Sequence, residues 1–121
     1  MDDQGRVLLA RHHYKMGWQL PIGGVERGEP AAHAVLREMK EEVGLSGGAA
    51  MLFAIYTRSG GLATNVLVLY RITGATVKFE PNLEIKEICF VDPASPPEDC
   101  TEDSRRRLQE LAGIVPLSPY W

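Results

Sequence analysis

Apolar positions along the chain fall into runs with two different periods. Arg6–Arg11 (RVLLAR), Met51–Thr57 (MLFAIYT), Val66–Ile72 (VLVLYRI) and Ile85–Val91 (IKEICFV) are short and rich in aliphatic, β-branched or aromatic residues. Such runs predict buried or half-buried strands. Trp18–Leu20 predicts a shorter extended piece, which Pro21 ends because proline has no N–H to give to a ladder. The period then changes. Leu36, Met39 and Val43 recur at i, i+3 and i+7, with Ala32 and Val35 beside them, so one stripe of a helix is apolar. Pro30 suits the first helical position, Glu29 lies near the positive end of the helix dipole, and Gly44 suits the left-handed residue that closes a helix. Thr101–Leu111 predicts a second helix, capped at or next to Thr101, with Leu108 and Leu111 facing inward.

The intervening pieces read as turns and loops: Asp2–Gly5, His12–Gly17, Ser46–Ala49, Arg58–Thr64, and Pro93–Cys100 with its three prolines. Strands on either side of a helix, with a second helix at the end, predict the α/β (α+β) class with a mixed sheet packed between helices. The 121 residues show no repeat and no linker, so a single domain spans 1–121.

Composition narrows the function. The net charge is −3, from 13 basic and 16 acidic residues, which argues against a general nucleic-acid binder and predicts no polymeric nucleic-acid partner. A nucleotide is still allowed, since a metal can mediate contact with its phosphates. Cys89 and Cys100 form neither a CxxC pair nor a zinc-ligand spacing. They read as a buried thiol and a loop thiol in a reducing, cytoplasmic setting. No apolar run nears the roughly 20 residues that span a bilayer, and the first residues have no signal-peptide character.

The first helix carries the informative chemistry. Glu38, Glu41 and Glu42 lie three and four residues apart, so their carboxylates share one flank. Each like-charge pair costs the helix about 0.2–0.5 kcal/mol. Arg37 relieves part of this through Glu41 at i+4, and Lys40 adds some screening. One reading is a solvated acidic face. The other is a site for a hard divalent cation, around which repelling carboxylates become favourable.

The neighbours of the trio decide between the two. Gly23, five residues, Glu29, seven residues, then Arg37-Glu38-Met39-Lys40-Glu41-Glu42-Val43-Gly44-Leu45 resembles the Nudix hydrolase signature G-x5-E-x7-R-E-U-x-E-E-x-G-U, where U is bulky and apolar. Every fixed position is met, over about a fifth of the chain. The preceding GWQLPIGG also resembles the family's approach strand and turn. The resemblance implies a Nudix-type α/β/α sandwich and hydrolysis of a nucleoside diphosphate linked to another moiety. It also implies Mg²⁺ as cofactor, with Mn²⁺ able to substitute. Gly23 (through its carbonyl), Glu38, Glu41 and Glu42 are the implied metal ligands. Glu29, Arg37 and Gly44 are structural, Glu29 and Arg37 by pairing across the loop-to-helix junction.

Hydrolysis needs neutralised phosphate oxygens, a water in line with phosphorus and an acceptor for its proton, so no serine or cysteine nucleophile is required. Glu38, Glu41 and Glu84 are the catalytic candidates, with Glu38 first and Glu84 second as base, Glu84 reading equally as a plain exposed strand-edge glutamate; Glu87 is weaker. Arg11 could meet a phosphate, and Tyr14 or Trp18 could stack on a base, although residues of each type more often have a structural role. His33 and the Arg105-Arg106-Arg107 run read as solvated surface. Two departures stand out. Ile22 takes the first place of the usual Gly-Gly-Gly turn, where positive φ would be costly. Only five residues precede Arg6, where the family has another strand. Either chain ahead of Met1 or another chain or element covers that edge, a homodimer being one such arrangement. A module that only senses a nucleotide is the alternative to an enzyme. Such modules usually lose a glutamate of the signature, and all are retained here.

Overall fold

The computed structural model describes residues Met1–Trp121. In chain order the elements are β1 (Val7–His12), α1 (Ala31–Val43), β2 (Leu45–Gly60), β3 (Ala63–Val77), β4 (Ile85–Val91) and α2 (Glu102–Leu111). β1 pairs antiparallel with β4, Leu9 opposite Cys89, and β2 pairs antiparallel with β3 along nearly their whole length.

Alternation in β1 builds the layers. Val7 and Leu9 point to one side and pack with Leu20 and with Leu108 of α2. Leu8, between them, points to the other side and packs with Met39 and Val43 of α1, beside Leu45, Ile72 and Ile88. The β1–β4 pair is therefore covered by a helix on each face, the sandwich expected from the sequence. The expected single mixed sheet is instead two antiparallel pairs. Parallel contacts occur only as isolated bridges, Trp18 with Cys100 and Thr57 with Tyr120. Trp18–Leu20 is extended as expected, with Gln19 bridged to Ala10.

β2 and β3 are longer than the pattern indicated. Ser46–Ala49 and most of Arg58–Thr64, expected as loops, are strand, and only Gly61 and Leu62 make the turn. Gly47, Gly48 and Gly74 interrupt the apolar alternation at one end of this hairpin. The other end is exposed on both faces, so burial imposes no period there. Helix α1 starts one residue later than expected. Pro30 is its extended N-cap, with φ −63° and ψ 140°, and Gly44 closes it in the left-handed region at φ 69°. A side chain at Gly44 would also lie 2.0 Å from the Lys78 carbonyl oxygen.

The last helix holds a buried charged cluster. Arg107 is fully buried, which corrects its expected place on a solvated face. Its guanidinium lies 4.4 Å from the Tyr56 ring centroid and 4.9 Å from that of Trp121. Glu110 sits 2.8 Å away and takes hydrogen bonds from Tyr56 Oη and the Ser118 N–H, both at 2.8 Å. The chain end is held there too, with Thr57 bonded to Pro119 and Trp121 through the backbone. Arg105 donates to the Pro97 and Glu98 carbonyls, while Arg106 and His33 are exposed as expected.

Candidate metal and hydrolytic site

Gly23 lies directly against the stem of Glu38. A Cβ there would come within 2.3 Å of Glu38 Cγ and 2.7 Å of its Cβ, so the loop approaches α1 only because position 23 has no side chain. Neither Ile22, Gly23 nor Gly24 takes positive φ, so Ile22 sits in this turn without strain.

Arg37 fastens the loop to the helix. Its Nε and Nη2 donate to the two carboxylate oxygens of Glu29 at 2.8 and 3.0 Å, and Nη2 also donates to the Gly24 carbonyl at 3.0 Å. This forked pair is the strong, directional form of an ion pair, and it holds the Glu29 carboxyl down at about 2. Nη1 reaches Glu38 at 3.0 Å and Glu41 at 3.4 Å. The trio is thus divided. Glu41 turns outward to Arg37 and is 62% exposed, whereas Glu42 turns inward. One Glu42 carboxylate oxygen is buried without a hydrogen-bond partner. Burial first, then the charge and hydrogen bonding of Glu38, then Glu84 and Glu41, push the Glu42 carboxyl up to about 7.

Glu84 joins this group from a distant part of the chain. It lies just ahead of β4, where the β1 ladder is irregular between Arg11 and His12. The His13 N–H donates to the Glu84 carbonyl at 3.2 Å. Glu84 also acts on His12, whose pKa is lowered by burial first and by Lys15, with the Glu84 charge opposing. Gly23 therefore lies against Glu38, and the charges of both Glu38 and Glu84 act on Glu42. No three His, Cys, Asp or Glu side chains are gathered closely enough to hold an ion as they stand. The residues fit a divalent cation by charge and by the orphaned Glu42 oxygen rather than by a preset ring of ligands.

Two of the three expected substrate contacts are engaged elsewhere. Arg11 lies 4.3 Å over the Trp18 ring and pairs with Glu87 and Asp99. Each of the two residues thus takes up a face of the other. Tyr14 is 95% exposed, with its ring tilted against that of His13 at 6.3 Å between centroids. Sequence reasoning missed Asn82, which donates to the Glu42 carbonyl at 2.9 Å and accepts from the Glu84 and Ile85 N–H groups at 3.0 and 2.9 Å. Only Pro81-Asn82 as a turn signal hinted at it. The Cys89 and Cys100 thiols are half-buried beside the core around Leu9, and burial pushes both up.

A NUDIX domain model matches residues 1–111. The chain belongs to the Nudix hydrolase family. An RNA pyrophosphohydrolase of Serratia proteamaculans is 54% identical over 43 residues, which is 36% of this chain and 25% of that protein. One from Halorhodospira halophila is 52% identical over 44 residues, 24% of its length. The chain thus spans about a quarter of the curated relatives it matches. Among solved structures, a MutT NUDIX hydrolase from Burkholderia pseudomallei superposes with a TM-score of 0.73 at 23% identity, over 87% of each chain. The Escherichia coli dihydroneopterin triphosphate pyrophosphohydrolase gives 0.61 at 21% identity, over 93% of this chain and 89% of its own. At these identities the likeness shows the Nudix fold. No helix is long and apolar enough to cross a membrane.

Proposed function

We propose that this Nudix chain hydrolyses the diphosphate linkage of a nucleoside diphosphate derivative, using Mg²⁺, or Mn²⁺ in its place. Glu38, Glu42 and the Gly23 carbonyl would hold the ion, and Glu41 would join them by leaving its 3.4 Å contact with Arg37. The observation that carries this reading is Glu42, half-buried among other carboxylates with an unpartnered oxygen and a carboxyl pushed up to about 7. A cation supplies the compensation that the protein withholds. When bound, such an ion neutralises phosphate oxygens and acidifies a water. The chain's own groups do the rest. Arg37 keeps the Gly23 loop against Glu38. Glu38 is the first candidate to take the proton of the attacking water, and Glu84, whose charge acts on Glu42, is the second. The water oxygen bonds to phosphorus as the bridging P–O bond breaks. Tyr14, with its exposed ring, is the contact left to stack on a base.

The same chemistry fits a diphosphate at the end of an RNA. The RNA pyrophosphohydrolases that match at 54% and 52% identity favour this second reading, against the expectation of no polymeric partner. The net charge of −3 and the engagement of Arg11 favour the small molecule. A panel of nucleoside diphosphate derivatives together with a 5′-triphosphorylated RNA oligonucleotide, assayed for phosphate or pyrophosphate release with and without Mg²⁺, tests both. Metal-dependent turnover of one class is expected, lost in Glu38→Gln and Glu42→Gln. Tight binding of one compound with no turnover of any would support the sensor instead. A second copy covering the open strand edges belongs to the same proposal, and a monomer-sized species in gel filtration at micromolar concentration would remove it.

A further inference from the structure

We propose that Asn82, outside the Nudix signature, is a positioning residue that clamps Glu84 against the last turn of α1 and so sets the distance between the two halves of the site. This rests on the hydrolase reading in which Glu84 takes part. The geometry is a four-way tie. The Glu42 carbonyl is among the last of α1, which have no partner within the helix. Asn82 Nδ2 donates to it at 2.9 Å. The same amide group reaches the Glu80 carbonyl at 3.4 Å. On its other side Oδ1 accepts the Glu84 and Ile85 N–H groups at 3.0 and 2.9 Å. Two carbonyls face the nitrogen and two N–H groups face the oxygen, so only one orientation of the amide satisfies the site.

The backbone of Asn82 completes the loop. Its N–H donates to the Ile85 carbonyl at 3.0 Å, and its carbonyl lies 2.8 Å from His13 Nε2. With the His13 N–H on the Glu84 carbonyl at 3.2 Å, the segment is pinned from the residue that follows β1 on one side and from α1 on the other. The Glu84 side chain is exposed and has no ion pair of its own. Its place is therefore set by its backbone, which Asn82 ties to the Glu42 carbonyl and the His13 N–H holds on the other side. Phe79 of the same loop packs against the cluster of Met39, Val43 and Leu45, but no other side-chain hydrogen bond links the helix that carries Glu38 and Glu42 to the loop that carries Glu84.

A clamp of this kind acts through Glu84, whereas a mere helix-end partner acts on stability. A double-mutant cycle separates them. Asn82→Ala is expected to lower kcat by about tenfold or more with KM within about twofold. In the Glu84→Gln background it should cost less than about twofold further. In the metal-free protein, amide hydrogen exchange at Glu84 and Ile85 should quicken in Asn82→Ala. It should stay slow in Asn82→Asp, which keeps the acceptor oxygen and gives up the donor to Glu42. If Asn82→Ala does not fold, the cycle is run with Asn82→Asp. Equal losses of kcat with and without the Glu84 carboxylate, or exchange at Glu84 and Ile85 unmoved by Asn82→Ala, would overturn the clamp while leaving hydrolysis intact. A parent chain inert on every substrate would instead refute the hydrolase reading on which it rests.

Discussion

Glu42→Gln should make the metal-free protein more stable while abolishing its activity. In the unfolded chain the carboxyl titrates near 4.5, and in the fold it is pushed up to about 7. An acid whose folded value is raised binds its proton more tightly in the native state. Its contribution to stability is present below 4.5 and is lost as pH rises to about 7. At 1.36 kcal/mol per pH unit the full loss would be about 3 kcal/mol. Glu42 is only half-buried, and solvent screening brings the figure to roughly 1–2 kcal/mol. The amide that replaces the carboxyl keeps its shape and hydrogen bonding without the charge. At pH 8, thermal unfolding in chelator should therefore rise by about 3–8 °C relative to the parent. At pH 4.5 the two proteins should unfold together. Excess Mg²⁺ should raise the midpoint of the parent by mass action and barely move the variant. Identical pH slopes for parent and variant between pH 5 and 8 would refute the claim that this carboxylate is held against its preference.

Two further outcomes follow from other parts of the molecule. Gly23→Ala should cut kcat by about 10²-fold, because the new methyl would overlap the Glu38 stem and a displacement near 1 Å is enough to do so; near-parental steady-state rates would contradict the close approach. Glu110→Ala strands the buried Arg107 charge and removes the acceptor for Tyr56 and Ser118. It should therefore cost about 3–5 kcal/mol in urea unfolding, and a loss under about 1 kcal/mol would mean that the cluster is not held together by charge.

Much of the site was legible because it is local. The signature from Gly23 to Leu45 lies in one loop and one helix, where fixed spacing becomes fixed geometry. Glu29 and Arg37 were expected to pair and do so in the forked arrangement. Gly44 was expected to end the helix and does so at positive φ. Within the trio, spacing put the three carboxylates on one flank but could not say which faces the interior. Arg37 draws Glu41 outward, and burial singles out Glu42. Arg11 and Trp18 were each plausible contacts taken singly, yet they occupy one another. Arg107 was misplaced because a run of arginines reads as surface when the aromatic rings that enclose it, Tyr56 and Trp121, lie far off in sequence.

The sequence alone determined the helix, its caps, the apolar strands and the acidic signature, since each depends on neighbours within about a turn or a strand length. Tertiary structure decided what depends on segments meeting across the chain. It set two antiparallel pairs in place of one mixed sheet, buried Arg107 between rings, and tied the Glu84 N–H to the Glu42 carbonyl through Asn82. The last is the clearest case. The hydrogen bonds that join Glu42 to Glu84 run through the amide of Asn82, and no local period encodes a contact whose partners are supplied by the folding of everything between them.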